Sequence, residues 1–261
     1  MMPRHLGAGL LGVLAAVALA AWNPVAGTRA PDSGPLTVAA ASDLQVVLPE
    51  VGGAWMRHFG ETVQFTFGAS GDLARQIEQG APVDLFLAAD DSYVAQLSAA
   101  GLLFQDTQRV YARGRLALAT PRRPGVAVRC LADLLLPGVR HVAIANPAHA
   151  PYGRVAREAL RKAGIWQQIQ SRLVFAPNVR QATQMVETGN ADAGIIALAG
   201  VSEADLEWTA LDDGLYLPLR QTLAVLNRTP RESAARDFAH FLCGPAGRRI
   251  LARHGFALPP K

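Results

Sequence analysis

Lysine is nearly absent from this chain. Lys162 and Lys261 are the only two in 261 residues, so the net charge of +4 rests almost wholly on arginine. The arginines are scattered rather than gathered in a run, which argues against the basic stripe of a nucleic-acid binder. Cysteine is scarce as well: Cys130 and Cys243 stand far apart and in no metal-type spacing. An oxidising compartment would permit a bridge between them, and two buried or half-buried thiols is an equally good reading. HExxH helices and EF-hand loops are missing, which removes the metalloprotease and calcium-sensor classes. With 18% charged and 50% hydrophobic residues and no repeat or low-complexity tract beyond the leader, the chain is neither disordered nor fibrous.

There is only one long apolar run, Leu6 to Ala21, preceded by Arg4 and His5. It falls short of the about 20 residues of a membrane span and reads as an export signal. Residues 1–30 are therefore expected to be a signal peptide and a loose N-terminus, with cleavage sites offered by Ala18, Ala20, Ala21 and Ala26. No Cys follows the run, which argues against a lipid anchor. The expected location is the periplasm.

What remains, roughly 230 residues, has the size of one large domain or two small ones. From Leu36 onward short apolar runs alternate with amphipathic stretches, the pattern of an α/β fold with largely parallel sheets. Strands are expected at Leu36–Ala41, Val63–Phe67, Val83–Ala88, Leu116–Thr120, Val139–Ala145, Leu173–Phe175, Ala193–Ala197 and Gln221–Leu226. Helices are expected at Leu44–His58, Ser70–Glu78, Ser92–Ala100, Tyr152–Ala163, Val179–Glu187, Arg231–Leu242 and Ala246–His254. Pro49 fits the first of these only near its first turn, where its missing N–H breaks no helical bond. The stretch Glu203–Gly214 carries no clear pattern. Turn residues from Pro121 to Gly125 suggest a crossing between lobes, giving lobe 1 as 35–115 plus 222–261 and lobe 2 as 116–221.

Three loops share one design, in which a strand ends, small or hydroxyl residues follow and a helix begins: Ala40–Asp43, Phe67–Gly71 and Asn146–Gly153. A fourth, Ala176–Val179, has the same character. In parallel α/β sheets, ligands bind beyond the carboxyl ends of strands, where helix N-termini present free N–H groups and a favourable dipole to an anion. Ser42 and Ser70 each add a hydroxyl donor. Either serine alone reads as a helix cap; two in adjacent units point to a ligand.

Several stretches taken in order carry a family resemblance: VAAASDLQ (38–45), FGASGDLARQIEQGAPVDLFLAADD (67–91), IANPAHAPYG (144–153), GNADAGIIAL (189–198) and FLCGPAGRRILARHGFALP (241–259). Together they make the chain resemble the periplasmic molybdate-binding proteins of ABC transporters, over about Leu36 to Pro259. The resemblance implies the two-lobed periplasmic-binding-protein fold, each lobe a mostly parallel sheet flanked by helices with the ligand in the cleft. It also implies capture of molybdate, and of tungstate, for a membrane permease by a monomeric protein that needs no cofactor and performs no catalysis. Carried over by residue, the oxyanion contacts fall on Ser42 and Ser70, through hydroxyl and N–H, and on the backbone N–H groups of Tyr152 and Val179, with no direct bond to the metal. Where some relatives place a tyrosine this chain has Ala197, and the Tyr152 hydroxyl is expected to take that part. A carboxylate beside a dianion would repel it, so Asp43 is expected to contribute its N–H while its side chain turns away to cap the helix. His149 is expected to be structural, and Asp84, Asp90 and Asp91 carry no chemistry.

Molybdate is fully deprotonated at neutral pH and only accepts hydrogen bonds, so hydroxyl and N–H donors satisfy it without an arginine. Two alternatives stand beside this reading. One is a binder of the same fold for sulfate, phosphate or another oxyanion, an organic anion usually calling for an arginine clamp or aromatic wall. The other is a serine hydrolase using Ser42 or Ser70, although the stretch Gly68–Asp72 lacks the second glycine of a nucleophile elbow and neither serine is followed by a lysine three residues later.

Overall fold

The computed structural model describes residues 34–123, 125 and 127–259, so the expected signal segment lies outside the described residues. In chain order the elements are β1 (Leu36–Ala41), a 3-10 turn (Ser42–Leu44), α1 (Leu48–Phe59), β2 (Val63–Gly68), α2 (Ser70–Glu78), β3 (Leu85–Ala88), α3 (Asp91–Ala99) and β4 (Arg109–Gly114). There follow β5 (Leu116–Pro121), β6 (Val142–Ala145), α4 (Pro151–Lys162), α5 (Trp166–Ile169), β7 (Leu173–Ala176), α6 (Val179–Glu187) and β8 (Ala193–Ala197). The chain ends with β9 (Leu206–Ala210), β10 (Leu219–Val225), α7 (Glu232–Cys243) and α8 (Pro245–Arg253).

The strands form two five-stranded sheets, β2-β1-β3-β10-β4 and β7-β6-β8-β5-β9. Both are built alike. Three parallel strands stand together, a fourth runs against them, and a fifth forms an edge antiparallel to the fourth. The reversed strands, β10 and β5, are the ones adjoining the chain's two passages between sheets: only Arg115 separates β4 from β5, and β9 is followed by β10. Residues 219–221, expected with the second lobe, belong to β10 of the first sheet.

Each sheet is covered on both faces, which is why its central strands read as continuous apolar runs rather than alternating ones. On the first sheet, Val38 and Ala40 pack with Trp55, Phe238 and Leu251 of α1, α7 and α8, while Ala39 and Phe86 face Leu73, Ile77 and Leu97 of α2 and α3. On the second, Leu118 and Ile144 meet Val155 and Ala159 of α4, and Ala143 and Ile196 meet Ala182 and Val186 of α6. Burying each large side chain of this kind contributes about 1.5–3 kcal/mol.

Three expectations shift. Helix α1 starts at Leu48 rather than Leu44, because Ser42–Leu44 forms a separate 3-10 turn; Pro49 then sits in the first helical turn, where no hydrogen bond is lost. Strand β6 begins at Val142 rather than Val139. The unpatterned stretch after Glu203 contains β9, and the unassigned residues before Leu116 contain β4. Both are edge strands: β9 exposes Glu207, Trp208 and Thr209, and in β4 the exposed Arg109 and Arg113 flank the buried Tyr111 and Ala112, so neither shows the continuous apolar run of the central strands. Among the described residues no helix is long and apolar enough to cross a membrane, and Cys130 and Cys243 are both free thiols.

Candidate functional site

The carboxyl ends of β1, β2, β6 and β7 release the chain into short loops, each followed by a helical turn. Ser42 opens the 3-10 turn, Ser70 opens α2, Tyr152 is the second residue of α4, and Val179 is the first of α6. Residues in a helix's first turn have N–H groups with no partner in the helical ladder. These positions therefore present donors. All of them, with Asp43, line one small cavity of about 10 Å³, the scale of a single water-sized species. Among the described residues no lysine or arginine lines it, and Asp43 is the one carboxyl that does.

Neither serine is a cap. The cap positions are Ala41 and Ala69, and neither turn has a side-chain capping bond. The Ser70 Oγ is fully buried and accepts the Ala89 N–H at 2.9 Å, which fixes the oxygen and leaves its own hydrogen free to donate.

Asp43 departs from expectation. Its side chain does not cap the turn; it is buried and accepts from the Tyr152 hydroxyl at 3.0 Å and from the Gln221 Nε2. The physical reason is reach: β10 brings Gln221 to the end of β1, and two donors outcompete a cap of a three-residue turn. Burial pushes the Asp43 carboxyl up to about 6, against the opposing pull of the Gln221 and Tyr152 bonds. Its other oxygen, Oδ1, and the Gln221 Oε1 are buried without a hydrogen-bond partner. Burial favours the protonated carboxyl and the two accepted hydrogen bonds favour the carboxylate, so the group changes charge at about 6.

Tyr152 is corrected by the same contact. Its hydroxyl hydrogen is given to Asp43 and is not held free for a ligand, so its place in the cavity rests on its backbone N–H. Burial and the neighbouring Asp43 push the Tyr152 phenol well above its ordinary range, which keeps it a neutral donor. Gln221 was missed because it reads as the polar first residue of an apolar strand. Only the register irregularity between Gln221 and Thr222 hints that it turns inward, and a sequence does not display that. Gly114 is part of the same packing, since a Cβ there would collide with the Tyr152 hydroxyl.

Contacts between the two sheets' loops surround the cavity. The Gly71 N–H donates to the His149 carbonyl at 3.0 Å, and the Tyr93 hydroxyl donates to the same oxygen at 3.2 Å. His149 Nε2 lies 3.0 Å from the Pro177 carbonyl oxygen and 3.6 Å from Asp72, a bridging structural role. Arg154 pairs with Asp90, which also caps α3, and Arg180 pairs with Glu187; neither arginine lines the cavity. Asp84 bonds Thr37, and Asp91 lies 3.5 Å from Arg220, both outside the cavity. Ala197 is buried at the end of β8. Among the described residues no group of three or more His, Cys, Asp or Glu is placed to hold a metal ion.

The chain is similar to known proteins over nearly all of its described length. The chain is 32% identical to the molybdate-binding protein of Rhodobacter capsulatus over 228 residues, covering 86% of this chain and 88% of that one. It is also 32% identical to the molybdate-binding protein of Azotobacter vinelandii over 226 residues, covering 85% and 89%. The solved structure of the periplasmic molybdate-binding protein of Azotobacter vinelandii superposes with a TM-score of 0.82 at 29% identity, covering 86% of this chain and all of that one. The family model of bacterial extracellular solute-binding proteins matches residues 36–257. With the fold, the cleft between two mixed sheets and nearly the whole described chain in agreement, the chain belongs to the bacterial extracellular solute-binding proteins.

Proposed function

We propose that this protein captures molybdate, and tungstate with it, in the cavity at Ser42, Asp43, Ser70, Tyr152 and Val179. The observation that carries the reading is the cavity's composition: two hydroxyls and first-turn amides in a small buried space with no cationic side chain. A volume of about 10 Å³ is far below the roughly 300–1,000 Å³ of a pocket for an organic ligand. A small ion fits. A deprotonated tetrahedral oxyanion has only acceptors and meets only donors there, save at Asp43, whose protonated form stops being a repelling charge. That the relatives above are molybdate-binding proteins supports the same ligand.

The mechanism is capture by closure. The lobes 35–115 plus 219–261 and 116–218 each supply donors, so the anion binds the closed form better than an open one and shifts the population toward it. The closed monomer then presents the anion to the permease of an ABC transporter in the periplasm, the residues 1–30 acting as export signal. No catalysis is assigned: among the described residues neither serine hydroxyl is hydrogen-bonded to a histidine that would activate it.

The test is a thermal-shift series with molybdate, tungstate, sulfate, phosphate and no ligand at equal ionic strength. Ligand at about 100 times its dissociation constant adds about 2.7 kcal/mol, enough for a midpoint shift of several degrees. Shifts with molybdate and tungstate alone are expected. A shift with sulfate or phosphate instead replaces the ligand and keeps the site, and hydrolysis of generic esters lost in Ser70→Ala would restore the hydrolase reading.

A further inference from the structure

Away from the cleft, the β4 edge of the first sheet borders a groove of about 620 Å³ lined by Arg109, Arg113, Arg220 and Arg248, with Pro218 and Cys243. Its volume lies in the range of small-molecule pockets, roughly 300–1,000 Å³. Among the described residues no acidic one lines it. Arg113 and Arg220 are direct cross-strand partners, a placement in which like charges destabilise a sheet. The backbone holds them there: β10 pairs on one side of Arg113, and the Arg113 N–H donates to the Ala257 carbonyl at 2.7 Å on the other. Arg248 donates to the Pro259 carbonyl at 2.9 Å, which orients the guanidinium and leaves its charge intact.

Arg154, Arg180, Arg231, Arg236 and Arg253 each have a carboxylate partner. Among the described residues Arg109, Arg113 and Arg248 have none within ion-pair distance, and the pair of Arg220 with Asp91 at 3.5 Å joins two largely exposed side chains, a geometry worth little. Among the described residues other arginines, such as Arg57, Arg140 and Arg157, also lack a carboxylate partner, and what distinguishes the groove is that three such arginines converge on it. Cys243 marks the convergence, since its thiol is pushed up by burial and pulled down by both Arg109 and Arg248. Like charges gathered on rigid backbone with no counter-charge violate local consistency, and such violations concentrate at functional sites.

We propose that this groove is a second anion site, which takes a di- or triphosphate group. Guanidinium forks pair bidentately with phosphate oxygens. A terminal phosphate carries roughly −1.5 to −2 charge at neutral pH and each further phosphate of the chain about −1, so a di- or triphosphate group balances about three to four arginines. A soluble polyphosphate and a diphosphate lipid headgroup present the same chemistry to the groove.

The experiment is calorimetric titration of the protein with sodium tripolyphosphate, at constant ionic strength and with saturating molybdate present, so that the cleft cannot report. Saturable binding is expected, weakened at least tenfold in Arg113→Gln plus Arg248→Gln and at least several-fold in Arg113→Lys, which keeps the charge and loses the fork. Molybdate affinity is expected to stay within error in these variants, and the melting midpoint is expected not to fall, since Arg113→Gln relieves the cross-strand repulsion with Arg220. Co-sedimentation with phosphatidylcholine vesicles carrying a diphosphate lipid separates the sources: binding that tripolyphosphate displaces identifies the headgroup, and its absence beside tripolyphosphate binding identifies a soluble ligand. No tripolyphosphate binding, or binding that the arginine variants leave unchanged, overturns the site.

Discussion

The cleft cavity and the arginine groove handle negative charge in opposite ways. The cavity has no cationic side chain and includes a buried carboxyl, while the groove has four arginines and no acid. The difference follows from solvent. An arginine on an open edge keeps its hydration and costs little, whereas burying one beside the cavity would carry a desolvation penalty of several kcal/mol. A buried site therefore does better with neutral donors already fixed in place, such as hydroxyls and first-turn amides. Fixed neutral donors also read the shape and protonation of an anion, where exposed guanidinium groups read mainly its charge.

The sharpest way to break this contrast is Ser42→Ala with Ser70→Ala. A hydrogen bond to a charged group contributes about 1.5–3 kcal/mol, so losing both hydroxyls is expected to weaken molybdate binding at least a hundredfold by calorimetry. The fold should survive, because the Ser70 hydroxyl accepts one N–H and neither serine caps a helix. Near-normal affinity in the double variant would remove the site. Tripolyphosphate binding at the groove should be unaffected.

Asp43→Asn probes the one acid in the cavity. The carboxyl's folded value of about 6 stands above its ordinary 3.8, so the native state binds the proton more tightly than the unfolded chain does. The resulting stabilisation is full below the ordinary value and is lost as pH rises through about 6. The difference amounts to roughly 3 kcal/mol. Anion binding should follow the same sign, because a dianion beside an ionised Asp43 meets a like charge. Wild-type affinity is expected to fall by up to about tenfold per pH unit above that point, while Asp43→Asn shows a flat profile and a higher melting midpoint at neutral pH. A sloping profile in the variant would place the proton elsewhere.

The sequence made these two regions legible to different depths. Ser42, Ser70, Tyr152 and Val179 all stand where a strand hands over to a helix, and that grammar is local, so they were found by pattern and all line one cavity. The central strands were legible for the same reason, being short apolar runs buried on both faces. What escaped depends on long-range register: Gln221 meets Asp43 only because β10 returns to the first sheet with an irregularity beside it. The Asp43 side chain was assigned to a cap because local geometry favours one, and a partner 178 positions away decided otherwise. The edge strands β4 and β9 lack a continuous apolar run, and with β4 unseen the juxtaposition of Arg113 and Arg220 could not be read from the chain.

Gly71 sets the smallest of the expected effects, and it tests closure rather than chemistry. It is the second residue of α2, and its N–H reaches the His149 carbonyl across the cleft at 3.0 Å. A Cβ at that position would lie 2.7 Å from the same carbonyl oxygen and 2.8 Å from the Tyr93 hydroxyl, closer than real contacts allow. Tyr93 can swing aside, but the His149 carbonyl belongs to backbone fixed by α4 and by the ring's contact with Pro177. The loops around the cavity would have to part by a few tenths of an ångström, an overpacking cost of about 1–3 kcal/mol. An open form has no such contact to lose, so Gly71→Ala is expected to weaken molybdate about tenfold while the ligand-free melting midpoint moves little. If closure is the mechanism, small-angle scattering of the variant with sub-saturating molybdate will show a larger radius than wild type under the same conditions. Equal affinity and equal radius would mean that these loops meet regardless of the anion, and capture would then have to be read as entry into a preformed site.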